Sequence, residues 1–193
     1  TAELALKVAR AAVQRLHSER PQVLIVRDTR ESGEMLESAI AAGVAAGGGD
    51  ALLAGVLPTP AAPLLLRRRG LDLAAVISAS HNPYEDNGIK LFGSDGFKLQ
   101  DDAEHEIELE LDKPFTTPPA IGRIRTIDGA LEDYLGELLE RFQSLDLSGT
   151  RILLDCANGA TFRAAPEVFR RLGAQVDVLA DQPDGRNIND GCG

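Results

Sequence analysis

The sequence is poor in cysteine and in aromatic residues, since its 193 residues include two Cys, one Met, no Trp and only 4% aromatic residues. The two cysteines, Cys156 and Cys192, provide neither a disulfide framework nor the ligand spacing of a zinc site. We therefore expect a reducing, cytoplasmic setting. The sequence also lacks an apolar run of the ~18–20 residues that cross a bilayer, so we expect no membrane partner.

Positive charge is in deficit, because 20 Lys and Arg face 30 Asp and Glu, for a formal net charge of −10. A protein that binds nucleic acid usually presents a basic face, so this balance argues against a nucleic-acid partner. The acidity is concentrated in residues 101–113, which contain seven acidic residues and one lysine, a local charge of −6. Net charge therefore describes one segment of the chain and says little about a site.

What remains is an ordinary globular composition, with 44% hydrophobic and 26% charged residues. The length suits one large domain or two small ones. The sequence opens in a helical pattern without Met or a signal-peptide pattern, and it stops in a turn-like DGCG. We therefore expect a piece cut from a longer chain.

Hydrophobic periodicity and turn residues predict an α/β fold, a layered mixed sheet with flanking helices. The acidic segment alternates like a strand over residues 106–111, but Ala103, Ile107 and Leu111 recur every four residues, which favours a helix. The other predicted helices cover residues 2–17, 32–46, a segment ending at 69, 128–142 and 163–172, and the predicted strands cover residues 23–26, 50–56, 73–78, 89–92, 151–155 and 174–179. We predict a first domain over residues 1–121, with a linker at 115–121, and the beginning of a second α/β domain over residues 122–193.

A polar loop follows the third predicted strand and contains Ser78, Ser80, His81 and Asn82. Ligands of α/β sheets collect at the carboxyl ends of strands, although the same residue types are common in plain turns. The strand after the loop would run back beside it, so that Lys90 could point its ammonium toward Ser80. A serine, an imidazole and a lysine can support nucleophilic or phosphoryl chemistry. No G-x-S-x-G motif is present, which makes a serine hydrolase the weaker hypothesis.

The segments 77–83 (ISASHNP) and 86–90 (DNGIK) together resemble the active-site serine loop of the α-D-phosphohexomutase superfamily. Residues 90–99 (KLFGSDGFKL) are most similar to the bacterial phosphoglucosamine mutase subgroup. The runs 28–30 (DTR), 154–160 (LDCANGA), 187–189 (NIN) and 191–193 (GCG) agree with that subgroup. The resemblance extends over essentially the whole chain.

This resemblance implies that Ser80 carries a phosphoryl group, which passes to a hexosamine phosphate through a bisphosphate intermediate. It makes Lys90 the candidate for proton transfer or phosphate stabilisation and His81 the candidate that orients the loop or the sugar. It also implies Mg²⁺ bound through the Ser80 phosphoryl oxygen, and a homodimer. For Arg30, support of the serine loop and an ordinary ion pair with Asp28 or Glu31 both remain open.

The resemblance covers the first family domain without its N-terminal strand, and the start of the second without the Asp-rich metal loop. We therefore expect this piece to be inactive alone. Two alternatives to a phosphoglucosamine mutase stay open at this stage. One is a phosphomannomutase or phosphoglucomutase of the same superfamily, and the other is a non-catalytic relative that binds sugar phosphates.

Overall fold

The computed structural model describes residues 1–111, 113–116 and 118–193. Asp112, in the predicted acidic segment, and Thr117, in the predicted linker, lie outside the described residues. The elements in chain order are α1 (Ala2–Gln14), β1 (Gln22–Arg27), α2 (Gly33–Ala46), β2 (Asp50–Val56), α3 (Ala61–Arg69), β3 (Leu73–Ile77), β4 (Ile89–Gly93), α4 (Asp101–Glu110), β5 (Ile124–Thr126), α5 (Ala130–Arg141), β6 (Arg151–Asp155), α6 (Ala164–Arg171) and β7 (Gln175–Leu179).

The predicted α/β architecture is confirmed, with a central mixed sheet between helices. The five-stranded sheet has the order β4-β3-β1-β2-β5, in which β1 runs parallel to both β2 and β3 and β5 runs parallel to β2. Only β4 is antiparallel, and it pairs with β3 at the edge of the sheet. The parallel strands therefore end at one common edge, and β4 starts from that edge.

Both faces of the central sheet are covered, which explains the continuous apolar run of β1. Val23 and Ile25 pack with α1, α2 and Ile107 of α4 on one face. Leu24 and Val26 pack with α3 and α5 on the other. A strand buried on both faces needs apolar residues at successive positions, and β1 has four of them in a row.

The acidic segment is helical, as its spacing of four predicted, and only Ile107 of α4 is buried. Asp101, Asp102 and Glu104 lie in its first turn, where the helix dipole favours negative charge. Helix α1 begins as predicted, with the Thr1 hydroxyl accepting from the Leu4 N–H, but it ends at Gln14 instead of residue 17. The predicted acidity is thus a solvated helical face on the α1 side of the sheet.

The short strand β5 was absent from the sequence prediction. Its three residues are all exposed, so no burial pattern marks it. It pairs with β2 through Ala51 to Ile124 and Leu53 to Thr126, which extends the first sheet to residue 126. The division of the chain at residue 121 stays a prediction. Beyond β5, the parallel pair β6–β7 with α6 forms a second unit, residues 151–193.

Candidate active site

The site lies where two neighbouring parallel strands end together. Arg27 at the end of β1 pairs with Ile77 at the end of β3. The chain continues from β1 into Asp28, Thr29 and Arg30, and from β3 into the loop of residues 78–86, here called the serine loop. The Asp28 N–H donates to the Ile77 carbonyl at 3.0 Å, so the two segments leave the sheet side by side.

Ser80 is exposed and holds a left-handed backbone conformation, with φ of 57°. Its N–H donates to the Ser78 hydroxyl at 3.1 Å, and the Asn82 N–H donates to the Ala79 carbonyl at 3.2 Å. A non-glycine residue in such a conformation costs about 1–3 kcal/mol and persists only where its surroundings fix it. The serine hydroxyl is thus presented to solvent from a tight turn with strained backbone.

Arg30 supplies much of that support from inside the protein, because its side chain is fully buried. Its Nε donates to Asp28 Oδ2 at 2.9 Å, so its charge is paired. Its two terminal nitrogens donate to backbone carbonyls of the serine loop, namely those of Ser80 at 2.9 Å, Asn82 at 3.0 Å, Asp86 at 3.0 Å and Pro83. Of the two open hypotheses for Arg30, support of the serine loop is therefore confirmed, and the ion pair with Asp28 accompanies it.

The far end of the serine loop is fixed to the start of β4. The Ser78 N–H donates to the Gly88 carbonyl at 2.9 Å, which brings the two ends of the loop together. The Asn82 amide donates to Asp86 Oδ2 at 3.0 Å within the loop, and the Asn87 amide donates to the Ser32 hydroxyl at 2.9 Å. The loop is therefore closed on itself, and the residue that follows it is attached to Ser32, the N-cap of α2.

The other two predicted site residues, His81 and Lys90, lie in different elements, His81 in the serine loop and Lys90 in β4. His81 is exposed beside Ser80 at the apex of the loop. Lys90 is half-buried in β4 and pairs with Val76, whose side chain faces α3 and α5. Paired residues share one face of a sheet. Within the described part of the chain no hydrogen bond joins Lys90 to the serine loop, so its contact with Ser80 stays a prediction.

The second unit contacts both the segment after β1 and the serine loop. The Thr29 hydroxyl donates to the Asn158 carbonyl at 2.5 Å, and the Glu31 N–H donates to the Gly185 carbonyl at 2.9 Å. The side-chain amide of Asn189 donates to the carbonyls of Ser80 and Asn82, at 3.0 Å each. The strand ends of both sheets therefore converge on the serine loop.

A cavity of about 360 Å³ opens between the serine loop and the second unit. Its lining includes His81, Tyr84 and Glu85 from the loop and Arg186, Ile188 and Asn189 from the second unit. Arg186 pairs with Glu31 at 2.7 Å and lies over the Tyr84 ring at 6.0 Å. The lining is mixed, because Pro83 and Ile188 lie beside these charged and amide groups, and His81 brings the cavity next to Ser80 in the chain.

Cys156 follows β6 close to this region but is a poor nucleophile. It is buried, and burial together with the nearby Asp181 and Asp155 raises the pKa of its thiol. The thiolate is the reactive form of cysteine, so a raised pKa keeps this group inert. The neighbouring Asp155 has a lowered pKa, because the N–H groups of Gly193 and Ala157 donate to its carboxylate. Ser80 and Asp155 are exposed, whereas the Cys156 thiol is buried.

A Mg²⁺ ion prefers about six oxygen ligands in an octahedral arrangement. Among residues 1–111, 113–116 and 118–193, no group of three or more His, Cys, Asp or Glu side chains could hold a metal ion. A phosphoryl group on Ser80 would add its own oxygen atoms as ligands, but it would not supply the protein carboxylates of such a site. The described residues therefore do not fit a complete magnesium site by themselves.

Sequence reasoning did not identify the role of Asn189. It lies in a segment that the family resemblance marked at residues 187–189, but no pattern linked it to Ser80, 109 positions away in the chain. A polar Asn-Ile-Asn run after the last strand was the available signal. For Arg30, sequence spacing does not distinguish support of the serine loop from a surface ion pair, because spacing does not report burial.

The helices within the described ranges are too short or too polar to cross a bilayer. The family model described as phosphoglucomutase/phosphomannomutase, alpha/beta/alpha domain I, matches residues 1–117. A phosphoglucosamine mutase of Rubrobacter xylanophilus is 49% identical over 99% of this chain, and one of Pelotomaculum thermopropionicum is 47% identical over 98%.

The chain covers 43% and 44% of those two relatives, so it spans less than half of their length. A solved structure of a phosphoglucomutase/phosphomannomutase family protein from Burkholderia thailandensis superposes with a TM-score of 0.82 at 26% identity. That match covers 96% of this chain and 41% of the other. The similarity therefore extends over the first sheet, the serine loop and the second unit.

Proposed function

The chain belongs to the phosphoglucomutase/phosphomannomutase family, and on that premise we propose that the full-length protein interconverts glucosamine 6-phosphate and glucosamine 1-phosphate. One observation carries the proposal: Ser80 is exposed in a left-handed turn that a buried guanidinium holds in place. Strain of this kind concentrates at functional sites. The names of the relatives at 49% and 47% identity support the choice of an amino sugar.

In the proposed reaction Ser80 is the phosphoryl carrier. The resting protein holds a phosphate ester on Ser80 Oγ, and a hydroxyl of the sugar phosphate attacks its phosphorus. The bond from phosphorus to Oγ breaks, the sugar hydroxyl loses its proton, and Oγ gains one. The bisphosphate then reorients, and Oγ attacks the phosphorus of its other phosphoryl group. The bond from that phosphorus to the sugar oxygen breaks, Oγ loses its proton and the sugar oxygen gains one, which restores phosphoserine and releases the isomer. Such transfers depend mainly on alignment and charge stabilisation.

Lys90 and His81 are the proposed partners of Ser80 in this transfer. An ammonium on β4 stabilises phosphoryl charge or moves the proton, because lysine is a mobile point charge that suits phosphate. His81, exposed next to the carrier, orients the sugar or the loop. Both roles stay proposals that rest on the resemblance and on proximity in the chain.

Mg²⁺ is the proposed cofactor, bound through a phosphoryl oxygen on Ser80. When bound, the cation would neutralise the charge of phosphoserine, which carries about −1.5 to −2 at neutral pH. The remaining ligands must come from groups other than those described above. We therefore propose that residues 1–193 alone do not turn over substrate. The homodimer implied by the resemblance also stays a prediction.

A phosphomannomutase or phosphoglucomutase is the second candidate, favoured by the name of the family model and of the Burkholderia thailandensis structure. Both candidates use the same serine, so the substrate distinguishes them. The groups that would choose between the sugars are not identified among the described residues.

The proposal is tested by assaying the full-length protein with glucosamine 6-phosphate, mannose 6-phosphate and glucose 6-phosphate. We expect kcat/KM for the amino sugar to be at least about tenfold higher than for either hexose, a difference of about 1.4 kcal/mol. The Ser80→Ala variant should lose about 10³-fold or more in kcat. Ser94→Ala, a matched change at an exposed turn, should stay within about twofold of wild type. Isomerisation by Ser80→Ala at the wild-type rate would refute the proposal.

A further inference from the structure

The serine loop receives hydrogen bonds from two sides at the same two carbonyls. Arg30 Nη2 donates to the Ser80 carbonyl at 2.9 Å and to the Asn82 carbonyl at 3.0 Å. The Asn189 amide nitrogen donates to the same two oxygens at 3.0 Å each. Arg30 belongs to the first sheet, whereas Asn189 belongs to the second unit. Each carbonyl thus uses both of its lone pairs, one for each unit.

Asn189 is itself fixed within the second unit. Its N–H donates to the Ala157 carbonyl at 2.9 Å, and it holds a left-handed conformation with φ of 60°. The buried Asn158 extends this support, since its amide donates to the Asn187 carbonyl at 3.2 Å and its Oδ1 accepts from the Gln182 N–H at 3.1 Å. The donor that contacts the serine loop is therefore positioned by the loop that follows β6.

We infer that Asn189 is a positioning residue for Ser80, and that it makes the geometry of the phosphoryl carrier depend on the docking of the second unit. This inference rests on the proposed function and deepens it. When the second unit is docked, the backbone of Ser80 is restrained from both sides. When it is displaced, the carbonyls of Ser80 and Asn82 keep Arg30 and lose Asn189, and the turn is less restrained. Alignment of the nucleophile is worth several orders of magnitude in group transfer.

An asparagine at position 189 is suited to this contact because its amide nitrogen carries two N–H groups and meets two carbonyls. An aspartate of the same shape would present an oxygen to both carbonyls and would repel them. The Asn189→Asp variant therefore removes the donor without creating space. Asn189→Ala removes the donor without adding charge, and it keeps the test valid if the aspartate variant does not fold.

Gln175→Glu is the matched control. Gln175 is exposed at the first position of β7, at the end of the strand opposite Leu179, so this change turns an amide into a carboxylate in the same unit but away from the serine loop. A general effect of added negative charge on the second unit would appear in Gln175→Glu as well as in Asn189→Asp. A positioning role would affect only the two changes at Asn189.

The experiment uses the full-length protein and two readouts. The first is the single-turnover rate at which glucose 1,6-bisphosphate adds a phosphoryl group to Ser80, followed by peptide mass, with kcat and KM for the sugar phosphate. The second is amide hydrogen exchange in the serine loop without any substrate. For Asn189→Asp and Asn189→Ala we expect the transfer rate and kcat to fall about tenfold, with KM within about twofold, and exchange to rise about fivefold. Gln175→Glu should stay within about twofold of wild type in both readouts.

A transfer rate within about twofold of wild type in both Asn189 variants would overturn the inference, whatever the exchange shows. An equal loss in Gln175→Glu would also overturn it, because the effect would then belong to the second unit in general and not to the contact of Asn189 with the serine loop. If wild-type protein never gains phosphoryl mass on Ser80, the proposed function fails instead. In that case the exchange readout alone decides whether Asn189 restrains the loop.

Discussion

A single buried guanidinium explains how an exposed serine can keep a strained backbone. Arg30 is balanced by Asp28 at 2.9 Å and directs its remaining donors at carbonyls of the serine loop. A buried charge is costly unless its partners are all present, so the loop and the arginine stabilise each other. The planar fork of arginine reaches several acceptors at once, which the single ammonium of lysine does not.

Arg30→Lys should therefore destabilise the fold and slow phosphoryl transfer to Ser80. We expect a loss of about 3 kcal/mol in the free energy of unfolding, because a buried charge loses most of its acceptors. Urea denaturation of the full-length protein measures the first effect, and the rate at which glucose 1,6-bisphosphate adds phosphoryl mass to the Ser80 peptide measures the second. Arg15→Lys is the control, since Arg15 pairs with Glu106 on the surface and should change stability by less than about 1 kcal/mol. Equal effects of the two substitutions would contradict this role of Arg30.

Asp50 gives a second prediction at the scale of one residue. Its buried carboxylate accepts from Arg20 at 2.8 Å and 3.0 Å and from the Arg123 N–H at 2.7 Å, and the hydrogen bonds from Arg20 hold its pKa below the ordinary range. A lowered pKa in the folded state means that this carboxylate stabilises the fold above its unfolded pKa. That contribution is lost as pH falls from there through the folded pKa.

Asp50→Asn should lower stability by about 2 kcal/mol at neutral pH and by less below about pH 4. Scanning calorimetry of the full-length protein between pH 3 and 7 would measure the difference. Glu19→Gln, at an exposed bend before β1, should leave the curve parallel to that of wild type. A constant difference between Asp50→Asn and wild type over the whole range would contradict the assignment.

At the scale of elements, a strong hydrophobic period predicts a helix or strand correctly, whereas an element without such a period cannot be predicted. Strand β2 was predicted with its observed ends, and the acidic segment was correctly placed in a helix because Ile107 is the one buried residue of α4. Strand β5 was missed because its pairing depends on contacts of the backbone, and its side chains are all exposed. Helix α1 stops three residues early because Arg15 and Leu16 turn back onto Ala12 and Val13.

Some residues of the candidate site can likewise be predicted from the sequence, whereas their long-range contacts cannot. Ser80 and His81 could be found from a polar loop after an apolar strand, because that order is local in the sequence. Burial of Arg30 and its contact with carbonyls 50 to 56 positions away could not be found, because they depend on the parallel alignment of β1 and β3. The side of the sheet that Lys90 occupies depends on its pairing with Val76, which no local pattern reports.

The close approach of β5 to the sheet gives a prediction at this scale. A Cβ at position 122 would lie 1.7 Å from the Gly49 carbonyl oxygen, so Gly122 permits the contact that starts β5. Gly122→Ala should separate β5 from β2 and cost about 2–3 kcal/mol. Hydrogen exchange of the 122–127 peptide and the thermal midpoint measure the change.

Gly136→Ala is the control for that substitution. Position 136 lies inside α5 with no atom within 4 Å of an added Cβ, so alanine there should stabilise the helix by about 0.5–1 kcal/mol. Opposite signs for the two substitutions are the expected result. Equal stability of both variants would show that β5 does not need the glycine.

At the scale of the whole molecule, two α/β units meet at the serine loop. The strand ends of the first sheet provide Ser80 and Arg30, and the loop after β6 positions Asn189 against them. Helix α5 packs against α3 on one side and α6 on the other, which joins the units away from the site. This architecture agrees with the family structure from Burkholderia thailandensis at a TM-score of 0.82.

The central claim is that Ser80 carries the phosphoryl group, and peptide mapping tests it most directly. Full-length protein is incubated with glucose 1,6-bisphosphate, digested, and the mass of the peptide that contains Ser80 is measured. We expect one added phosphoryl group on Ser80, its loss on addition of glucosamine 6-phosphate, and no addition elsewhere in Ser80→Ala. A peptide that never gains that mass, or one that gains it on Ser78, would contradict Ser80 as the phosphoryl carrier.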